Sequence, residues 1–217
     1  MSTASASQVC RQIARDLMHQ AQLQGHSTED LRQALAYGAR AHAGQWRKTS
    51  EPYILHPLLV GRAVQLLGGH AYDVLAALQH DVVEDCPGIG LTDIECKLGA
   101  EVAARVAPLT KDYRLPAEQR TPDAFGRLWV ATGRHGAGVA LIKLIDRAHN
   151  AASSKVLKPE KIKRMQHENN CMFAPLARFI GAQGLAQFLD SPPERWWLAA
   201  PDFIASVTAL QPRLALT

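Results

Sequence analysis

The run Leu78-Gln-His-Asp-Val-Val-Glu-Asp85 sets the strongest constraint on how this chain can fold. Four groups that bind metal or move protons fall within six residues. Buried charges must be paired or bound to a cation, so such a segment is an unfavourable way to build a plain core. A helix advances about 3.6 residues per turn, so residues i and i+4 share a face. Read as one helix over 71–84, the run puts Glu84 over His80 and Asp85 over Asp81. Two further ligand types lie far away in sequence. His56 precedes Pro57, which biases its backbone to an extended form at the mouth of a helix. Asp146 sits in Ile142-Lys-Leu-Ile-Asp-Arg147, where apolar neighbours make a lone carboxylate costly. A fold that brings His56, His80, Asp81 and Asp146 together makes a mixed nitrogen and oxygen shell for a divalent ion. Glu84 and Asp85 then stand ready to orient or deprotonate a water.

The periodicity elsewhere is helical, and no segment reads as a strand. A first helix covers 8–23. Ser27-Thr-Glu-Asp30 has the form of a capping box and opens a second helix to about Ala43. Pro57 starts a third, and Gly68-Gly69 ends it. Thr92-Asp-Ile-Glu95 is another capping-box candidate, with Gly99 as a C-cap before a helix at about 100–110. Thr121-Pro122 reads as N-cap and first turn of the next helix. Gly133, Gly136 and Gly138 separate that from a buried helix over Val139–Ala151. Pro159 opens a long helix to about Ile180. The tail with Pro192-Pro193 and Trp196-Trp197 reads as one or two short helices packed on the body. The expected fold is all-α, a single bundle of about 8–11 helices. Its parts are an N-terminal helix and lead-in over 1–27, a main domain over 28–182, and a C-terminal helical extension over 183–217.

The chain has 217 residues, 47% of them hydrophobic and 20% charged, which suits one globular domain with a real core. No apolar run approaches the roughly 18 residues of a membrane helix, and the polar N-terminus lacks the apolar core of a secretion signal. The expected compartment is the cytoplasm, with no membrane partner. Cys10, Cys86, Cys96 and Cys171 are scattered and form no Cys-x-x-Cys pair, so neither a disulfide framework nor a zinc knuckle is expected. The net charge of +4 is compatible with a polyanionic ligand. No aromatic and basic stripe suggests a nucleic-acid groove. The cluster Lys155, Lys158, Lys161, Lys163 and Arg164 reads first as a solvated helix face, with a phosphate-facing role as the alternative.

The ordered pattern His56, His80-Asp81, Asp146 resembles the HD phosphohydrolase superfamily. The flanking residues sharpen the likeness. His42-Ala-Gly-Gln-Trp-Arg-Lys-Thr-Ser-Glu-Pro-Tyr-Ile-Leu-His-Pro57, Ala76–Asp85, Ile142–Asn150 and Ala174–Gly181 resemble the hydrolase domain of the RelA/SpoT homologue family over roughly residues 28–182. The length leaves no room for that family's synthetase domain, so the chain looks like a small stand-alone alarmone hydrolase.

The resemblance implies removal of the 3′-pyrophosphate from ppGpp or pppGpp, using one Mn²⁺ or another divalent ion. By motif it makes His56, His80, Asp81 and Asp146 the metal ligands and Glu84 and Asp85 the catalytic acidic pair. It makes Arg47, Lys48 and Thr49 the loop on the base and phosphate, Asn150 a nucleoside contact, and Ser153 a stand-in for a common threonine. His42 and His149 are expected outside the metal shell, and Lys143 and Arg147 beside the acidic centre. The partner implied is a purine nucleotide alarmone; the oligomeric state stays open. Adenine alarmones (ppApp, pppApp) are the alternative substrates. A phosphatase acting on NADPH or a nucleotide, and a non-catalytic alarmone-binding module, are further alternatives. Glu84 and Asp85 argue against the last, and the Arg47-Lys48 loop against a generic monophosphatase. Cys86, Pro108 and Ala151-Ala152 depart from the family pattern where base and phosphate selectivity would be set.

Overall fold

The computed structural model describes residues 3–210. Residues 1–2 of the N-terminal segment and 211–217 of the C-terminal extension lie outside that range. Among the described residues the secondary structure is helical, apart from one isolated β-bridge between Trp46 and Pro52. In chain order the helices are α1 (Thr3–Leu23), α2 (Thr28–Ala41), α3 (Leu55–Leu66), α4 (Ala71–Ala77), α5 (Val82–Asp85), α6 (Leu91–Leu98) and α7 (Ala100–Val106). They continue with α8 (Ala117–His135), α9 (Ala137–Ala152), α10 (Pro159–Glu168), α11 (Ala174–Phe179), α12 (Gln183–Asp190), α13 (Pro193–Trp197) and α14 (Phe203–Leu210).

Helix α9 is the axle of the fold. Val139, Ala140, Leu141, Ile142, Leu144, Ile145 and Ala148 are all fully buried. Each large apolar side chain buried in this way contributes about 1.5–3 kcal/mol. That surplus lets α9 carry Asp146, which is only 4% exposed. Around α9 one continuous apolar core runs from Ile13 on α1 to Val207 on α14. Trp196 is part of it, fully buried and donating from Nε1 to the Phe188 carbonyl at 2.8 Å. The segment from Gln183 to Leu210 forms three α-helices, more than the one or two expected, and Leu185, Trp196, Phe203 and Val207 belong to this core.

Several local readings hold and several are corrected. Ser27 is the N-cap of α2, its hydroxyl accepting from the Asp30 amide. Gly99 ends α6 with a φ of 91°. Thr92 is not a cap: α6 begins at Leu91, and the Asp93 carboxylate accepts from the Gly90 amide at 2.8 Å. Thr121-Pro122 does not open a helix. α8 begins at Ala117, and Pro122 lies inside it, four residues after the exposed Glu118, whose carbonyl a proline at 122 cannot bond. Gly133 lies inside α8 and Gly138 inside α9, so Gly136, with a φ of 85°, makes the break alone. The long helix expected over 159–180 is α10 and α11 joined by a π turn over Asn169–Phe173. That widening ends two residues before Pro175, whose ring is incompatible with a regular turn.

The correction that matters most concerns 71–84. The chain is not one rod there: α4 stops at Ala77 and α5 starts at Val82. The four residues between form a turn pinned from α2. Gln79, fully buried, donates from Nε2 to the Ala34 carbonyl at 2.9 Å. Gly38 lets α2 approach the Leu78 carbonyl so closely that a Cβ would lie 3.1 Å from that oxygen. His80 and Asp81 therefore project from a buried turn rather than from a helix face.

Candidate metal centre and nucleotide cleft

Three elements bring the four residues expected as ligands close together. His56 comes from the first turn of α3, His80 and Asp81 from the pinned turn, and Asp146 from the middle of α9. The Nε2 atoms of His56 and His80 lie 3.2 Å apart. His56 Nε2 is 3.2 Å from Asp146 Oδ1 and 3.4 Å from Asp81 Oδ2. His80 Nε2 is 3.3 Å from Asp81 Oδ1 and 3.6 Å from Asp146 Oδ1. His56, His80 and Asp146 each offer one ligand atom within 4.8 Å of the others, close enough to hold one divalent ion.

The surroundings fix which atoms face inward. His80 Nδ1 bonds the Ala77 carbonyl at 2.8 Å, so this nitrogen carries the proton and Nε2 is free to ligate. His56 Nδ1 faces His149 Nδ1 at 2.8 Å. Asp146 takes a bond from Lys143 Nζ at 2.9 Å and one from Asn150 Nδ2 at 2.5 Å. Burial works against charge on His80, yet the Asp81 and Asp146 carboxylates raise its pKa to about 10. Burial likewise opposes charge on the two acids, and the His80 cation beside Asp81 and the Lys143 cation beside Asp146 hold both well below the usual carboxylate range. The set thus keeps two anionic oxygens and two imidazoles in a dry place. A divalent cation fits such a set, taking over the positive charge that the protonated imidazole otherwise supplies.

Above this point opens a cleft of about 570 Å³. It is lined by every residue expected at the site except His56 and His80, which lie beneath it. Seven cations reach its walls: Arg47, Lys48, Lys111, Lys143, Arg147, Lys161 and Arg164. Among the described residues Arg47, Lys48 and Lys161 have no carboxylate within ion-pair distance. Partial burial and the charges of Lys48, Arg164, Lys111 and Arg147 push the Lys161 ammonium down from its ordinary value. Such crowding of like charge suits an anion. Of the basic cluster, Lys161 and Arg164 face the cleft, and Lys158 and Lys163 do not. Phe125, Leu128, Met165 and Phe173 supply an apolar wall.

The acidic pair divides. Asp85 keeps the expected relation to Asp81, its amide bonding the Asp81 carbonyl at 2.9 Å. Glu84 turns the other way. Its Oε1 accepts from the Lys111 amide at 2.6 Å and its Oε2 from the Tyr113 hydroxyl at 3.2 Å. Helix α5 is too short to hold both acids over the His80-Asp81 turn, and the loop after Leu109 captures Glu84. Asn150 is also engaged: besides its bond to Asp146, its Oδ1 accepts from Arg47 Nη2 at 2.7 Å. The Ser153 hydroxyl bonds back to the His149 carbonyl at 2.9 Å. The Thr49 hydroxyl is enclosed with no hydrogen-bond partner among the described residues.

Two residues outside the expected ligand, catalytic and substrate-binding sets enter here. His149 supports His56. Burial, with the His56 ring and the Arg47 guanidinium alongside, holds it well below the usual histidine range, so it is a neutral ring that can accept at Nδ1. Tyr53 places its hydroxyl 2.8 Å from Asp81 Oδ2 and 2.5 Å from Asp85 Oδ2. Burial and those two carboxylates push its pKa far up, so it remains a phenol that donates. Spacing alone gave no signal for either contact. His42 bonds Gln45 Oε1 at 2.8 Å.

Residues 34–182 match the family model described as HD domain, and the chain belongs to that family. It is 36% identical over 151 residues to the "Probable guanosine-3′,5′-bis(diphosphate) 3′-pyrophosphohydrolase" of Synechocystis, a match covering 68% of this chain and 20% of that protein. It is 33% identical over 163 residues to the "Bifunctional (p)ppGpp synthase/hydrolase SpoT" of Escherichia coli K12, covering 74% of this chain and 23% of the relative. The chain thus spans about a fifth of the length of the curated relatives it matches. A solved structure described as "A metazoan ortholog of SpoT hydrolyzes ppGpp and plays a role in starvation responses" shares the fold. Its TM-score is 0.53 at 23% identity, over 83% of this chain and 96% of that one.

Proposed function

We propose that this protein is a metal-dependent hydrolase that removes the 3′-pyrophosphate from ppGpp and pppGpp, leaving GDP or GTP. The observation that carries the reading is the position of the ligand cluster at the floor of a cleft whose walls hold seven cations. A lone phosphate ester needs fewer positive groups; a nucleotide phosphorylated at both ends needs two clusters. The names of the relatives support the same chemistry. Residues 28–182 form the hydrolytic unit in this reading, with 1–27 and 183–217 as helical additions. A nucleotide substrate of this kind places the reaction in the cytoplasm.

His56, His80, Asp81 and Asp146 would hold the ion. Their nitrogen and oxygen donors suit Mn²⁺. When bound, such an ion acidifies a water and neutralises charge on the phosphoryl group. The chain's own residues do the rest. Asp85, one hydroxyl away from Asp81, orients the attacking water and takes its proton. Lys143 and Asn150 keep the Asp146 carboxylate aimed at the centre. The Arg47 guanidinium offers a flat cation for stacking on the purine, and Thr49 an unused hydroxyl for its edge. Lys48, Lys111, Lys161 and Arg164 receive the phosphates distant from the metal, each charge-assisted bond contributing about 1.5–3 kcal/mol. Glu84 holds the Lys111 segment in place.

The test is a substrate panel. Purified protein with Mn²⁺ is given ppGpp, pppGpp, ppApp, pppApp and NADPH, and the released phosphorus species is identified. Pyrophosphate from the guanine compounds is expected. Pyrophosphate from the adenine pair alone would keep the mechanism and replace the substrate. Orthophosphate only, or no product, would remove the alarmone assignment.

A further inference from the structure

Residues 42–54 wrap the acidic end of the site more tightly than a substrate-binding loop requires. The backbone closes on itself through bonds from the Arg47 amide to the Glu51 carbonyl and from the Tyr53 amide to the Gln45 carbonyl, both 2.9 Å. Gln45 Nε2 donates to the Asp85 carbonyl at 2.9 Å, which grips the backbone of the acid. Tyr53 grips its side chain. The phenol ring stacks on His42, centroids 4.7 Å apart and planes 15° from parallel. That stack leaves the hydroxyl fixed between Asp81 Oδ2 and Asp85 Oδ2. A phenol has one proton, so it must share that proton between the two carboxylates. The ring would fill the same space without the oxygen, so packing does not explain the hydroxyl.

We propose that Tyr53 is a positioning residue for the reaction. Its hydroxyl sets the distance between the metal ligand Asp81 and the acid Asp85. Because Tyr53 belongs to the loop that carries Arg47, Lys48 and Thr49, it also joins the seating of the purine to the placement of the acid. The proposal rests on the functional reading above for the part played by Asp85, but not for the link to Asp81.

The test uses Tyr53→Phe, which keeps the ring and its stack on His42. Outer hydrogen-bond partners of metal ligands typically change affinity or activity by about 10–100-fold when removed. Mn²⁺ binding, titrated without nucleotide, is expected to weaken by about tenfold. At saturating Mn²⁺, kcat should fall by about tenfold or more while KM stays within about twofold. If Tyr53 acts through Asp85, the double variant Y53F/D85N should be no slower than D85N alone. Unchanged Mn²⁺ affinity together with rate losses that multiply in the double variant would overturn the proposal. Should the wild-type protein bind Mn²⁺ and release nothing from any nucleotide, the functional reading fails. The Mn²⁺ affinity of Tyr53→Phe then decides the role of Tyr53 without it.

Discussion

His56 and His149 meet nitrogen to nitrogen, their Nδ1 atoms 2.8 Å apart. One ring must donate and the other accept. His149 is neutral in its buried position and is also approached by Arg47 Nη1 at 3.4 Å, so it is the acceptor. That choice puts the His56 proton on Nδ1 and frees Nε2 for the ion. Replacing His149 with Phe should therefore weaken Mn²⁺ binding by about 10–100-fold while the helical circular-dichroism signal is retained. Equal Mn²⁺ affinity in the two proteins, measured by titration, would show that His56 needs no such partner.

Glu84 and Asp85 should separate kinetically. Asp85 faces the metal side through Tyr53, and Glu84 holds the Lys111 backbone. Asp85→Asn should lower kcat by about a hundredfold or more with KM little changed. Glu84→Ala should raise KM as well, because Lys111 loses its anchor. Identical patterns of kcat and KM in both variants would contradict this division.

The basic wall should divide in the same manner. Neutralising Lys161 or Arg164, which reach the cleft, should each raise KM by about tenfold, the effect of about 1.4 kcal/mol. Lys158→Ala and Lys163→Ala, outside it, should leave KM unchanged. Salt titrations of KM check this, since the first pair should also reduce its ionic-strength dependence.

Gly138 carries a stability prediction. A Cβ at this position of α9 would collide with the Asp73 carboxylate, which Arg105 holds from the other side at 3.0 Å. Gly138→Ala should destabilise the protein by about 1–3 kcal/mol, the usual range for forced overpacking. Thermal melting reads this as a lowered Tm. An unchanged Tm would mean that Asp73 moves aside freely.

Much of the fold was legible because it follows local rules. The Ser27 cap, the glycine breaks at Gly99 and Gly136, and the apolar density around Asp146 each name their element from a few neighbouring residues. That His56, His80 and Asp146 come together was legible because costly polar groups in apolar surroundings need a shared purpose. The break at 78–81 was not, since nothing in Leu-Gln-His-Asp disfavours a helix. It is imposed by contacts of Gln79 and Leu78 with α2, about 40 residues earlier in the chain. The partners of Glu84, Tyr53 and His149 were hidden for the same reason. Each bond joins segments whose juxtaposition exists only once the helices pack.

The most direct measurement is pyrophosphate release from ppGpp by protein stripped of metal and then reloaded with Mn²⁺, beside the variant Asp146→Asn. The account predicts no release from the stripped protein. It predicts one pyrophosphate per GDP formed after reloading, and no more than a trace from Asp146→Asn under the same conditions. Release that ignores the metal, or an Asp146→Asn rate equal to that of the wild type, would contradict it.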